Sequence, residues 1–160
     1  MSANELTVET EISPISVYDL RTLNKLLRGE LSAIDSYNRG LSSFEDMVIA
    51  EELSRISADH QKAAATIRGY IEASGGEPAE SSGAWGTIAT TLTDAAKLLG
   101  PETVLQTLRR GELIGISEYT SALDNEAIAP QCKQEIRDNF LPKCYLHVDR
   151  LEQLVEIGPM

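Results

Sequence analysis

The sequence predicts an all-α fold, a four-helix bundle of two antiparallel helical hairpins joined by a long crossover that contains a short helix. Three observations carry this expectation. Apolar residues recur at helical spacing in four long stretches. The first and last pairs of stretches are separated by only a few residues, which makes each pair a hairpin. About 25 residues separate the two hairpins, enough to run the length of the bundle.

Residues 1–14 read as a flexible polar tail that Pro14 ends, and residues 15–160 as the bundle, with Ser16 a candidate helix cap. The first helix follows from Leu20, Leu23, Leu26, Leu27, Ile34 and Leu41, and Ser42-Ser43 break it. A second runs from about Glu45 to Ser74, where Gly75-Gly76 stops it and Pro78 reinforces the stop. Residues 77–86 read as loop, and Thr87 to Leu99 as the short crossing helix, closed by Gly100. Trp85 is placed as an anchor of this crossover. Pro101 suits the first turn of a third helix, which extends to about Asn125. The fourth starts near Ala129 or Pro130 and ends before Gly158-Pro159, with Pro142 expected to kink it near the Asp138 carbonyl. One long crossover between two short-looped hairpins is the ferritin-like arrangement.

Composition excludes several classes of function. A net charge of −11 leaves no basic face for phosphates, so neither nucleic acid nor an anionic membrane surface is an expected partner. No stretch approaches the roughly 20 apolar residues of a membrane span. Met1 to Pro14 lacks the apolar core of a signal peptide. If one helix carries both Cys132 and Cys144, they lie about 18 Å apart, too far for a bridge. A reduced cytoplasmic setting is therefore expected. No glycine-rich phosphate loop, triad spacing or CxxC occurs, and no organic cofactor is indicated.

The chain repeats itself. Leu26-Leu27-Arg28-Gly29-Glu30-Leu31 returns as Leu108-Arg109-Arg110-Gly111-Glu112-Leu113, an offset of 82 that also pairs Tyr37 with Tyr119 and Leu41 with Leu123. This pattern suggests duplication of one helical hairpin. Glycine inside a helix costs roughly 1 kcal/mol relative to alanine, so its recurrence at 29 and 111 suggests close approach of a neighbouring backbone.

Each helix brings one ionisable residue to its apolar stripe. Glu30 lies among Leu23, Leu26, Ile34 and Tyr37, and Glu112 among the equivalent residues of the third helix. His60 lies among Leu53, Ile56, Ala63 and Ile67, and His147 follows Ile136, Phe140 and Cys144. Residues 30 and 60 are equidistant from the first turn, and 112 and 147 from the second, so both Glu–His pairs fall at matched heights. Such groups must be paired or bound to metal when buried. Two carboxylates and two imidazoles suit iron, zinc or manganese, with Glu30, His60, Glu112 and His147 as the candidate ligands.

With these residues in view, the chain resembles the bacterial ferritin-like families known as domains of unknown function. Arg110-Gly111-Glu112 followed by Tyr119 and Leu123, and Gly75-Gly76-Glu77-Pro78 with Trp85, carry the likeness over roughly residues 16–157. The resemblance implies the bundle, a ferritin-like ancestry and a link to metal or oxidative-stress handling. Ser57 and Cys144 stand three residues before the histidines, where di-iron bundles carry glutamate, which argues against ferroxidase or oxygenase chemistry.

Two readings follow. In one the polar layer binds metal, as a four-ligand mononuclear or a weak dinuclear site, with a Cys144 thiolate and Glu52 in reserve. In the other it is a hydrogen-bonded core network within a scaffold or interaction module. Tyr37 and Tyr119 are expected as core tyrosines, and a homodimer as the assembly.

Overall fold

The computed structural model describes residues 17–158, with the side chains of residues 17–19, Trp85 and Ile88 left aside. The tail, the Ser16 cap and the Trp85 anchor lie outside the described residues. The fold is all-α, and no strand occurs among the described residues. Helix α1 (Val17–Leu41) and α2 (Met47–Ala73) form the first hairpin. Helix α3 (Gly83–Leu99) leads into α4 (Pro101–Leu123). A last helical rod comprises α5 (Pro130–Glu135), a π-helical turn (Ile136–Phe140) and α6 (Leu141–Ile157).

The ends of these helices obey local chemistry. Asp46 caps α2, its Oδ1 accepting from the Val48 amide at 2.8 Å, which starts the helix two residues later than the periodicity suggests. At the other end Gly75 donates to the Glu72 carbonyl and Gly76 to that of Ile71, both at 3.0 Å. With Gly75 at φ +75°, this is a Schellman stop, the role expected of the glycine pair. Gly100 (φ +117°) closes α3 and opens α4 directly onto Pro101.

The crossover departs from expectation. Its helix starts at Gly83 rather than Thr87, spans 17 residues and packs on both α1 and α4. Burial of Thr93 and Ala96 overrides the weak helix propensity of Gly83 and Gly86, which made the segment read as loop. Asn24 of α1 ties down the preceding loop, donating to the Glu77 carbonyl and accepting from the Ala79 amide.

Buried apolar residues form two clusters. One holds Leu23, Leu27, Ile67, Ile71, Tyr119 and Ile136, the other Tyr37, Leu53, Ile56, Leu105 and Leu151. On α1, α2 and α4 the residues between these clusters along the chain are Glu30, His60 and Glu112, so a polar layer interrupts the core. The helical glycines do not behave as expected. A Cβ at Gly29 or at Gly111 would meet nothing within 4 Å, so no neighbouring backbone approaches either position.

Candidate metal centre

Glu30, His60, Glu112 and His147 are all buried, each 6% exposed or less. The short hairpins deliver the two expected pairs. His60 Nδ1 meets Glu30 Oε2 at 2.6 Å, and His147 Nδ1 meets Glu112 Oε2 at 3.3 Å. His60 also joins the hairpins, its Nε2 lying 2.8 Å from Glu112 Oε1. The two imidazole rings are 5.1 Å apart. All four residues thus share one hydrogen-bonded network.

Helices α1 and α4 run antiparallel here, which crosses the repeat-related partners. Tyr119 donates to Glu30, and Tyr37 donates to Glu112 Oε1 at 2.6 Å. Each glutamate therefore holds the tyrosine of the other repeat. The tyrosines are core residues, as expected, and they are also the donors that keep two buried carboxylates hydrogen-bonded.

Asp59 completes the network, and no sequence argument had selected it. Its Oδ2 lies 3.0 Å from His147 Nε2, and Lys143 approaches from the outer side at 3.4 Å. Asp59 sits beside the apolar stripe rather than on it. It supplies the fourth carboxylate contact of the layer: the two buried imidazoles have four ring nitrogens, and the two glutamates face three of them. Glu52, held in reserve as a ligand, instead pairs with Arg55 and Arg150 and does not join the network.

Electrostatics follow from this wiring. Both nitrogens of His60 face carboxylate oxygens, an arrangement that suits the imidazolium form. Burial alone would lower its pKa, but Glu30 and Glu112 outweigh burial and hold it well above the usual value. Burial would raise Glu112, yet His60 and His147 bring it down to about 2. Asp59 is lowered, because His147 and Lys143 outweigh its partial burial. Burial, reinforced by the facing carboxylates, pushes both tyrosine hydroxyls up.

The last rod shapes the access. Pro142 has no N–H to donate and would clash with the Asp138 carbonyl in a regular helix. The chain responds with a π-helical turn, closed by the Leu141 amide on the Ile136 carbonyl, rather than with a simple kink. In an α-helix the spacing 136, 140, 144 would drift by about 40° per step. The wider turn lessens that drift, and Ile136, Phe140, Cys144 and His147 are all buried. Helices α2 and α6 touch only sparingly, and a cavity of about 230 Å³ lies between them. It runs from Lys62 and Lys143 at the surface to His60, His147, Glu30 and Cys144. Both cysteines are free and buried, Cys132 with its thiol pushed up to about 11 by burial.

His60, Glu112 and His147 each offer one ligand atom, all within 4.8 Å of one another, so this buried group could hold a metal ion. Fold and site together define an all-α protein with a buried Glu/His cluster that opens to a cleft. The family described as Domain of unknown function (DUF2383) matches residues 19–125, more than half of the chain, and the protein belongs to that family. No curated protein and no solved structure matches the chain. Among the described residues no helix is long and apolar enough to cross a membrane.

Proposed function

We propose that this protein is a ferritin-like bundle, built from a duplicated hairpin, that binds one divalent transition metal through His60, Glu112 and His147. The observation that carries the proposal is the convergence of three buried ligand atoms within 4.8 Å beside a cleft. His60 Nε2 and His147 Nδ1, the nitrogens that face Glu112, would bind the ion. Glu30 and Asp59 then take the opposite nitrogens and fix the two tautomers, as carboxylates behind metal-binding histidines do. On this reading Glu30 orients a ligand rather than serving as one. Two imidazoles and one carboxylate suit catalytic zinc and mononuclear iron, and manganese tolerates the same donors. The reciprocal Glu30–Tyr119 and Glu112–Tyr37 bonds support the duplicated, ferritin-like origin, because two repeats related by a two-fold axis exchange such partners.

One observation favours a second reading, a non-catalytic scaffold whose polar layer only fixes helix register. Every ring nitrogen already faces a carboxylate, so the network is complete on its own. Elemental analysis of untagged protein reconstituted with iron, zinc or manganese separates the two. The metal reading predicts about one ion per chain, lost in Glu112→Gln and His147→Asn variants that keep their helical circular dichroism. Wild-type protein without stoichiometric metal after reconstitution would establish the scaffold reading instead.

A further inference from the structure

We propose that the end of the bundle where α2 begins and α3 and α6 finish is a docking surface for a basic, amphipathic segment of a partner protein. This surface is independent of the metal centre, which lies farther along the same bundle.

Among the described residues, the most exposed large apolar side chains are Met47, Val48, Leu98, Leu99 and Ile157, each at least 73% exposed. In chain order they are scattered, over the first turn of α2 and the last turns of α3 and α6. Packing brings those turns together. Ile49, Ala96, Leu154 and Val155, from the same three turns, meet Phe44 and Val104 in one apolar cluster. The five exposed side chains therefore continue that core outward at one end of the bundle. Scattered exposed apolar residues are ordinary, but a group of them gathered in one place marks a binding surface.

The charges around the patch select what covers it. Glu45, Asp46, Glu102 and Glu156 are exposed, lie within three residues of the apolar five along the chain, and join no ion pair among the described residues. The cations of this end are Lys97 and Arg39, and Arg39 is already paired with Asp94 at 2.9 Å. A second copy would set this acidic rim against itself, and a net charge of −11 adds to the repulsion. The chain's own residues 1–16 contain no Lys or Arg and carry Glu5, Glu9 and Glu11, so they meet the same repulsion. A partner helix with an apolar stripe flanked by lysines or arginines suits both features. Its stripe covers the five side chains, and its cations face the rim.

Methyl NMR of the full-length protein tests this, with an amphipathic Leu/Lys helix peptide added at physiological salt as the probe. Saturable shifts are expected at the methyls of Met47, Val48, Leu98, Leu99 and Ile157. The double variant Leu98→Ser/Leu99→Ser and, separately, Glu102→Gln/Glu156→Gln should each bind the peptide at least about tenfold more weakly, with helical circular dichroism unchanged. Tyr145→Ser, about 18 Å along α6 from Ile157, should bind as the wild type does. A peptide of the same composition in scrambled order, which lacks the apolar stripe, should bind no better than the variants. No saturable shift at this end, or equal peptide affinity in the wild type and both double variants, would overturn the proposal. Three further results would overturn it by giving the surface another occupant. Shifts of the same methyls with protein concentration alone would assign it to a second copy. Nuclear Overhauser contacts from residues 1–16 would assign it to the chain itself. Flotation with phosphatidylcholine vesicles, lost in Leu98→Ser/Leu99→Ser, would assign it to a membrane.

Discussion

At His60 two carboxylates meet one imidazole, and the whole centre is tensioned around that ring. Tyr119, Glu30, His60, Glu112 and Tyr37 form one continuous chain of hydrogen bonds. Replacing either tyrosine by phenylalanine leaves a buried carboxylate one donor short, at a cost of about 1–3 kcal/mol. Because both losses act through His60, urea denaturation of the double variant should depart from additivity by about 0.5 kcal/mol or more. The same wiring sets the pH response of the metal-free protein. Glu112, depressed to about 2, contributes stability that is present above its unfolded value and lost as pH falls toward 2. His60 is raised, so its contribution is present below the unfolded value near 6.5 and lost as pH climbs through the higher folded value. The two shifts are one interaction seen from its two ends. Chemical denaturation of metal-free protein should therefore give greatest stability between about pH 4.5 and 6.5, with a decline on each side. A profile that rises steadily through pH 8 would contradict this wiring.

Among the elements, the two interior glycines are the clearest surplus. Gly29 and Gly111 have open space where a Cβ would go, so alanine should reduce the entropy cost of folding without a clash. Each substitution should stabilise by about 0.5–1 kcal/mol, or about 2–4 °C in Tm for each kcal/mol, and the two should add. Thermal melts check this, and a loss of stability would show that something occupies the space. Helix register was legible because it rests on local rules: the Gly75-Gly76 stop, Pro101 after Gly100, and apolar residues at helical spacing. The π-helical turn was legible only in part. Pro142 signalled a disturbance but not its form, since a proline inside a helix can equally be met by a simple kink. The reach of the crossing helix was not legible, because its start depends on burial against α1 and α4 rather than on propensity.

On the scale of the molecule, two hairpins place four buried polar groups in one layer between two apolar clusters. That layer could be read from hairpin arithmetic, since matched distances from a turn imply matched heights. The antiparallel relation of α1 and α4 follows from a crossover that runs the length of the bundle, but which side chains meet between the hairpins does not, and so the crossed tyrosines and the role of His60 in joining the hairpins were not legible. Asp59 escaped for the same reason: its partner His147 belongs to the other hairpin. The resulting cluster demands either protons or a metal, and these alternatives are thermodynamically linked. With His60 facing carboxylates on both sides, an incoming dication must displace at least its proton. Isothermal titration of zinc, iron(II) or manganese(II) into metal-free protein, repeated in two buffers of different ionisation enthalpy, measures this directly. Binding near one ion per chain, with release of roughly one to three protons at neutral pH, is the predicted result. No saturable heat with any of the three metals, or binding that releases no proton, would contradict a metal centre at His60, Glu112 and His147.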